Sequence, residues 1–423
     1  MKRRPAAMWL AAMVCAAAIW AAWAVTRPAG AAEHGGFVTA GAAYRGEDPS
    51  AGTTRRVRPV QTVLHQPATV PMEMVSGLPV VRVRLDGQGP FMFLLDTGAS
   101  CLTVSEDLAK RLKLPAVTGT KITSVSPVAS MDLGHPRTVR ELAVGSAVFR
   151  DIDAAAADLS SLQMGPLDGI LGLAVFADCR LTLDYPAKQV IVAPSNAPAP
   201  PARPDEVLPA QWLGGMLLTV PVKVQDQTLW CLLDSGSNGR LTVPADEAER
   251  LPVAATATYE TTSHMFGGTQ SATKLARLAC SAYLGRWELA RPIIDVVDHD
   301  QLILGSGILE HFVVTIDVQA MTVSLTRQGN DPIPSPPPFK TLGVTLVRQG
   351  RAWVVTGPQP GVQMDSLGLK VEDKILRIDK QPVTSLSRAR LDEMMRQSDT
   401  LNLELDRKGR RMSLQLALTV LIP

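Results

Sequence analysis

Apolar and polar positions alternate with period two through most of residues 70–327, in short runs broken by turn residues. Val80-Val81-Arg82-Val83-Arg84-Leu85, the turn Gly87-Gln88-Gly89-Pro90 and the apolar run Phe91 to Leu95 predict a β-hairpin. The pattern returns downstream. Leu218-Thr219-Val220-Pro221-Val222-Lys223-Val224, a polar turn and Leu229-Trp230-Cys231-Leu232-Leu233 predict the same hairpin again. Ser105 to Leu112 breaks the alternation: a hydroxyl residue precedes Glu106 and Asp107, which predicts a short helix with Ser105 as its N-cap. Residues 339–423 add further short strands and one amphipathic helix, Leu386 to Gln397.

Breaks in this pattern set the expected boundaries. Residues 33–69 carry no sustained period and read as a flexible tether. Pro194 to Pro209 holds six prolines and Gly329 to Pro338 is again proline-rich, so both read as semi-rigid linkers. The division is therefore 1–32 targeting segment, 33–69 tether, 70–193 first lobe, 194–209 linker, 210–328 second lobe, 329–338 linker and 339–423 C-terminal domain. The fold class is mainly β, with an α+β unit at the end.

Composition narrows the function. Lys+Arg number 42 and Asp+Glu 40, and no basic stripe with interleaved aromatics occurs, so no nucleic-acid partner is expected. Lys2-Arg3-Arg4 precedes an apolar, Ala-rich run from Ala6 to Val25 and the small residues Ala29-Gly30-Ala31. This is either a cleaved signal peptide or an uncleaved membrane anchor. Both place the rest of the chain outside the cytoplasm, in the periplasm or facing it from the inner membrane. The Arg- and Ala-rich usage is of a bacterial kind. Cys101, Cys179, Cys231 and Cys280 follow the leader, two in each lobe. An oxidising compartment permits disulfides among them, although Cys231 sits in an apolar run where a buried thiol is the plainer reading. No CxxC or HExxH occurs, so neither a metal nor an organic cofactor is expected.

The chemistry lies in two triplets. Leu94-Leu95-Asp96-Thr97-Gly98 and Leu232-Leu233-Asp234-Ser235-Gly236 each close an apolar run with an Asp, a small hydroxyl residue and a Gly. The repeat continues: Ile170-Leu171-Gly172 answers Ile303-Leu304-Gly305, and Leu181-Thr182-Leu183-Asp184 answers Val314-Thr315-Ile316-Asp317. Similar order at similar spacing predicts a duplicated lobe.

These pieces resemble the retropepsin-like and pepsin-like aspartic proteases over about residues 70 to 327. The resemblance implies two small β-barrel lobes in a fused pseudo-dimer, with Asp96 and Asp234 as a catalytic pair. It implies that Thr97 and Ser235 tie the two loops together, that Gly98 and Gly236 free backbone N–H groups for the carboxylates, and that Ser237 supports Asp234. Ala99 stands at the corresponding place in the first lobe. Flaps are expected at His264 to Thr269, which is Gly-rich, and at Thr123 to Gly134, which lacks a paired Gly tip.

Residues 339–423 resemble a PDZ domain of the bacterial protease-associated type, through Leu342-Gly343-Val344 and the string Gly368-Leu369-Lys370-Val371-Glu372-Asp373-Lys374-Ile375-Leu376-Arg377-Ile378. The resemblance implies that Leu342, Gly343 and Val344 receive the C-terminus of a protein partner, which adds as a strand. The expected function is an exported aspartic endopeptidase acting on peptide or protein substrates, with the PDZ domain aiding recognition. The rival is a non-catalytic periplasmic peptide-binding or scaffolding protein that works through its PDZ domain.

Overall fold

The computed structural model describes residues 41–45, 58–118, 121–125, 130–162, 167–197, 206–213, 217–264, 270–329, 331–359, 362–386 and 388–423. The expected targeting segment, residues 126–129 of the expected first-lobe flap and residues 265–269 of the expected second-lobe flap lie outside them.

The predicted hairpins form. In the first lobe Leu78–Leu85 pairs antiparallel with Gln88–Asp96, and in the second Leu217–Val224 pairs with Gln227–Asp234. Ala68–Val75 alternates buried and exposed side chains, as a strand with one wet face should. Ser105 caps the helix Glu106–Arg111, its Oγ accepting from Leu108 N at 3.1 Å.

The lobes join through strands that the sequence shows only as repeats. Cys179–Asp184 and Val313–Asp317, equivalent elements of the duplication, pair antiparallel with each other. Thr182 lies opposite Thr315 and their hydroxyls meet at 2.9 Å, where the local two-fold relation passes. Gln189–Pro194 and Ala68–Val75 extend this sheet on one side, and Thr322–Thr326 and Glu206–Pro209 on the other. One hydrophobic core runs through both lobes, including Phe93, Phe149 and Phe176 from the first and Trp287 and Phe312 from the second. Burial of this kind contributes about 25 cal/mol per Å² of apolar surface.

The structure differs from the expected tether and spacers. Within 33–69, Gly41–Arg45 pairs with the flap arm Lys121–Val125, and Gln61–Val63 pairs with the strand Ala147–Ala157. The end of the 194–209 linker is the strand Glu206–Pro209, paired with Thr322–Thr326. The 329–338 linker is docked against the second lobe. Ile333 is buried in the common core, and Ile333 N donates to Glu288 O at 2.8 Å while its carbonyl accepts from Ala290 N at 2.9 Å. Arg277, only 3% exposed, donates to Arg291 O at 3.1 Å, Ser335 Oγ at 2.7 Å, Pro336 O at 2.8 Å and Pro423 O. Proline carbonyls keep their acceptor capacity, so a proline-rich strap satisfies a buried guanidinium well.

The C-terminal unit holds a six-stranded sheet and the helix Arg388–Gln397 around its own core, with Val355, Ile375, Ile378 and Leu403 fully buried. The Asp of its long sequence string has a structural role. Asp373 is 1% exposed and bound in two places by Arg407, at 2.8 and 2.7 Å, and by Lys370 N at 2.8 Å. Burial alone would raise its carboxyl, but these donors hold it below the ordinary range. The last strand, Thr419–Ile422, pairs with Phe339–Thr341. Leu421, Ile422 and Phe339 pack on Ala257, Leu275 and Ile293 of the second lobe.

Candidate active site

Asp96 and Asp234 end two equivalent strands, and each strand lies parallel to an apolar-apolar-Gly strand. Gly172 sits beside Asp96 and Gly305 beside Asp234. A Cβ at Gly172 would stand 2.3 Å from Cys101 O, and one at Gly305 2.4 Å from Gly239 O, so the close backbone approach leaves room only for glycine.

The two Asp loops interlock through their hydroxyls. Thr97 Oγ1 donates to Leu233 O at 2.6 Å and accepts from Ser235 N at 3.0 Å. Ser235 Oγ donates to Leu95 O at 2.7 Å and accepts from Thr97 N at 3.0 Å. Both residues are buried, at 2% and 0% exposure, so each hydroxyl spends its donor and an acceptor on the opposite loop without competition from water. This grip brings the carboxyls together. A Cβ at Gly98 would fall 2.4 Å from Asp234 Cγ, and one at Gly236 2.3 Å from Asp96 Cγ. Each Gly therefore faces the opposite carboxyl, while its own N–H donates to the near one: Gly98 N to Asp96 Oδ1 at 2.9 Å, Gly236 N to Asp234 Oδ1 at 2.8 Å.

The electrostatics follow from this geometry. Burial pushes the Asp96 carboxyl up, against the Asp234 side chain and the Gly98 and Ala99 N–H groups, which pull it down. Burial pushes Asp234 well above its ordinary value, and the charge of Asp96 and the bond between the two side chains push it further. Two such groups in contact hold one proton between them over a wide pH range.

A third element supports the grip on one side only. Ser306, which follows Gly305, donates from Oγ to Ser235 O at 2.8 Å, and Tyr185 OH from the first lobe meets Ser306 Oγ at 3.2 Å. Leu173 follows Gly172 at the corresponding place and can make no such bond. Sequence reasoning missed this contact, since Tyr185 lies beyond every motif and only the fold brings it to Ser306. Ser237 assists Asp234 through its backbone N–H.

Residues 81–175 and 220–308 match the family model for aspartyl protease, and residues 336–406 match that for the PDZ domain. The two lobes are retropepsin-like aspartyl protease lobes, and the unit after them is a PDZ domain. No curated protein matches the chain.

In the PDZ domain, Leu342, Gly343 and Val344 are all buried, the Leu342 and Val344 side chains in its core and Gly343 beneath Thr419, Leu367 and Val362, so the loop expected to receive a peptide C-terminus is covered. Gly343 turns the loop with φ +76°, a value that favours glycine, and its carbonyl is taken by Gln359 N at 2.9 Å. The following strand, Val344–Gln349, lies at the edge of the sheet and pairs only with Ala352–Pro358 among the described residues. Cys101, Cys179, Cys231 and Cys280 are free thiols. Burial raises Cys101 to about 11 and Cys179 to about 12, so these thiols stay protonated and inert at neutral pH.

Proposed function

We propose that the protein is an exported aspartic endopeptidase whose single site is made in cis by Asp96 and Asp234, with substrates recruited in part by the PDZ domain. The observation that carries this reading is the crossed placement of Gly98 and Gly236 on the opposite carboxyls, held by the Thr97–Ser235 grip. Structural turns need no such crossing. A proton shared by two buried carboxyls gives one base and one acid at the same point.

The mechanism uses both. The ionised carboxyl takes a proton from a water, whose oxygen attacks the scissile carbonyl carbon. The protonated carboxyl gives its proton to the carbonyl oxygen, forming a neutral gem-diol. As that intermediate collapses, the dyad's proton passes to the amide nitrogen, the C–N bond breaks, and a gem-diol hydroxyl returns its proton to the other carboxylate, leaving a carboxylic acid, an amine and one proton on the pair. The hydroxyl grip limits reorganisation during these steps, because both carboxyls are already placed.

The basic-then-apolar N-terminus supports export. The open edge of Val344–Gln349 supports the capture of a peptide as an added strand. The test is hydrolysis of a peptide library by the full chain, with and without a hydroxyl-bearing peptide that mimics the gem-diol. Cleavage blocked by that mimic and untouched by chelators is the expected result. No cleavage of any library member would return the non-catalytic PDZ reading.

A further inference from the structure

The duplication supplies an internal control for the walls of the cleft. In the second lobe, Leu232 lies beside Ile303, Ile303 beside Thr242, Thr242 beside Asp295, and Asp295 beside Leu275. Residues in register on neighbouring strands point to the same face, and Asp234 is two positions from Leu232, so it shares that face. The first lobe repeats the row. Leu94 lies beside Ile170, Ile170 beside Thr103, and Thr103 beside Ala155. Asp295 therefore occupies in the second lobe the place that Ala155 occupies in the first. It stands three strands from Leu232, about 14 Å at ordinary strand spacing, with Asp234 two residues further along that first strand, so that about four to five residues of extended peptide span the distance.

Two local features bring polar groups to this carboxylate. The loop from Asp234 to Thr242 spans eight positions where that from Asp96 to Thr103 spans seven, and Gly239 lies in the longer loop. A Cβ at Gly239 would stand 2.8 Å from Asp295 Oδ2, 3.4 Å from Ser237 Oγ and 3.5 Å from Thr242 Oγ1. A carboxylate and two hydroxyls thus converge on a position without a side chain. Ala155 and Ala99 stand at the corresponding places of the first lobe. Asp295 is partly exposed and accepts from Arg240 N at 3.1 Å. Burial raises its carboxyl, and the Arg240 N–H and guanidinium offset that only in part. Such a group gains from a further cation. Beyond Asp295 the face is closed by the cluster of Leu275, Ile293, Leu421 and Ile422, so the polar spot is bounded by apolar walls.

We infer that Asp295 selects a lysine or arginine side chain in the substrate, on the side of the scissile bond lined by the second lobe, while the first lobe, with Ala155 at the equivalent place, offers no such charge. This rests on the peptidase reading above and names the substrate class for that same site.

The test uses the full chain and pairs of peptides that differ only in lysine against norleucine, scanned over four positions on each side of the scissile bond. The expected result is one position at which lysine raises kcat/KM at least tenfold, chiefly through KM. In Asp295→Asn that ratio falls toward one. The amide oxygen still accepts from Arg240 N, so the loop keeps its bond and only the charge is lost. Asp295→Ala, which copies the first lobe, lowers the ratio as well. If neither variant folds, the wild-type ratio alone decides. Cleavage with no lysine preference at any position, or a ratio unmoved in a folded variant, overturns the inference and leaves the peptidase reading standing. No cleavage of any peptide overturns both.

Discussion

The two protease lobes share one plan, and they differ where the plan meets something outside itself. Strand pairing, the apolar-apolar-Gly element, the hydroxyl and the Gly facing the opposite carboxyl are all duplicated. The differences are few. Ser306 replaces Leu173 and carries the bond to Tyr185, Asp295 replaces Ala155, and among the described residues the proline strap and the last strand of the PDZ domain lie on the second lobe alone. What must be symmetric is the part that holds two carboxyls against each other. What serves the substrate or the PDZ domain is free to be one-sided.

The largest expected effects test the symmetric part. Gly98→Ala and Gly236→Ala should each reduce kcat by about a thousandfold or more, since either Cβ would intrude on a carboxyl of the dyad. Equal damage in both lobes is the prediction; a tolerated Ala in one lobe would show that the carboxyls are not equivalently placed. Thr97→Ala and Ser235→Ala come next. Each removes two buried bonds and strands an N–H and a carbonyl of the other loop, at a cost of about 2–4 kcal/mol by urea denaturation. The exchanges Thr97→Ser and Ser235→Thr keep the hydroxyls and should stay within about 1.5 kcal/mol.

The one-sided parts should respond in one lobe only. Arg277→Met leaves the strap carbonyls without their donor and should lower stability by about 2–3 kcal/mol, with the exchange of strap and flap-base amides rising together. Normal protection in that variant would mean that the strap is held by Ile333 alone. Tyr185→Phe removes a single bond to Ser306 and should cost about 1 kcal/mol and a few-fold in kcat.

The dyad also sets a sign for pH. Both carboxyls are raised in the folded state above their ordinary value of 3.8. The folded protein thus holds protons that the unfolded chain has released. The stability they contribute is fully present below 3.8 and is lost as pH rises through the folded values. The Tm of wild type relative to the Asp96→Asn, Asp234→Asn double variant should therefore fall as pH rises. A rising difference would contradict shared protonation.

The symmetric part was legible in the sequence because close approach restricts residue choice. Only Gly fits at positions 98, 172, 236 and 305, and only a small hydroxyl fits at 97 and 235, so those motifs stand out. Ser105 as an N-cap was legible for the same local reason. The one-sided part was not. Arg277 reads as a solvated strand residue until the fold lays the strap over it, and the prolines of 329–338 mark a stiff chain without saying what its carbonyls meet. Gly41–Arg45 lies in a segment with no period of its own and becomes a strand through its partner Lys121–Val125. Tyr185 and Asp295 act through register with distant strands, which no local pattern records.

The central claim is that two carboxyls from two lobes form one catalytic group. Hydrolysis of a single cleavable peptide by wild type, Asp96→Asn, Asp234→Asn and the double variant, each checked for folding, tests it most directly. The account predicts that either single substitution abolishes turnover and that the double is scarcely worse than either single, because the groups act as a unit. Substantial turnover by one folded single variant would contradict it.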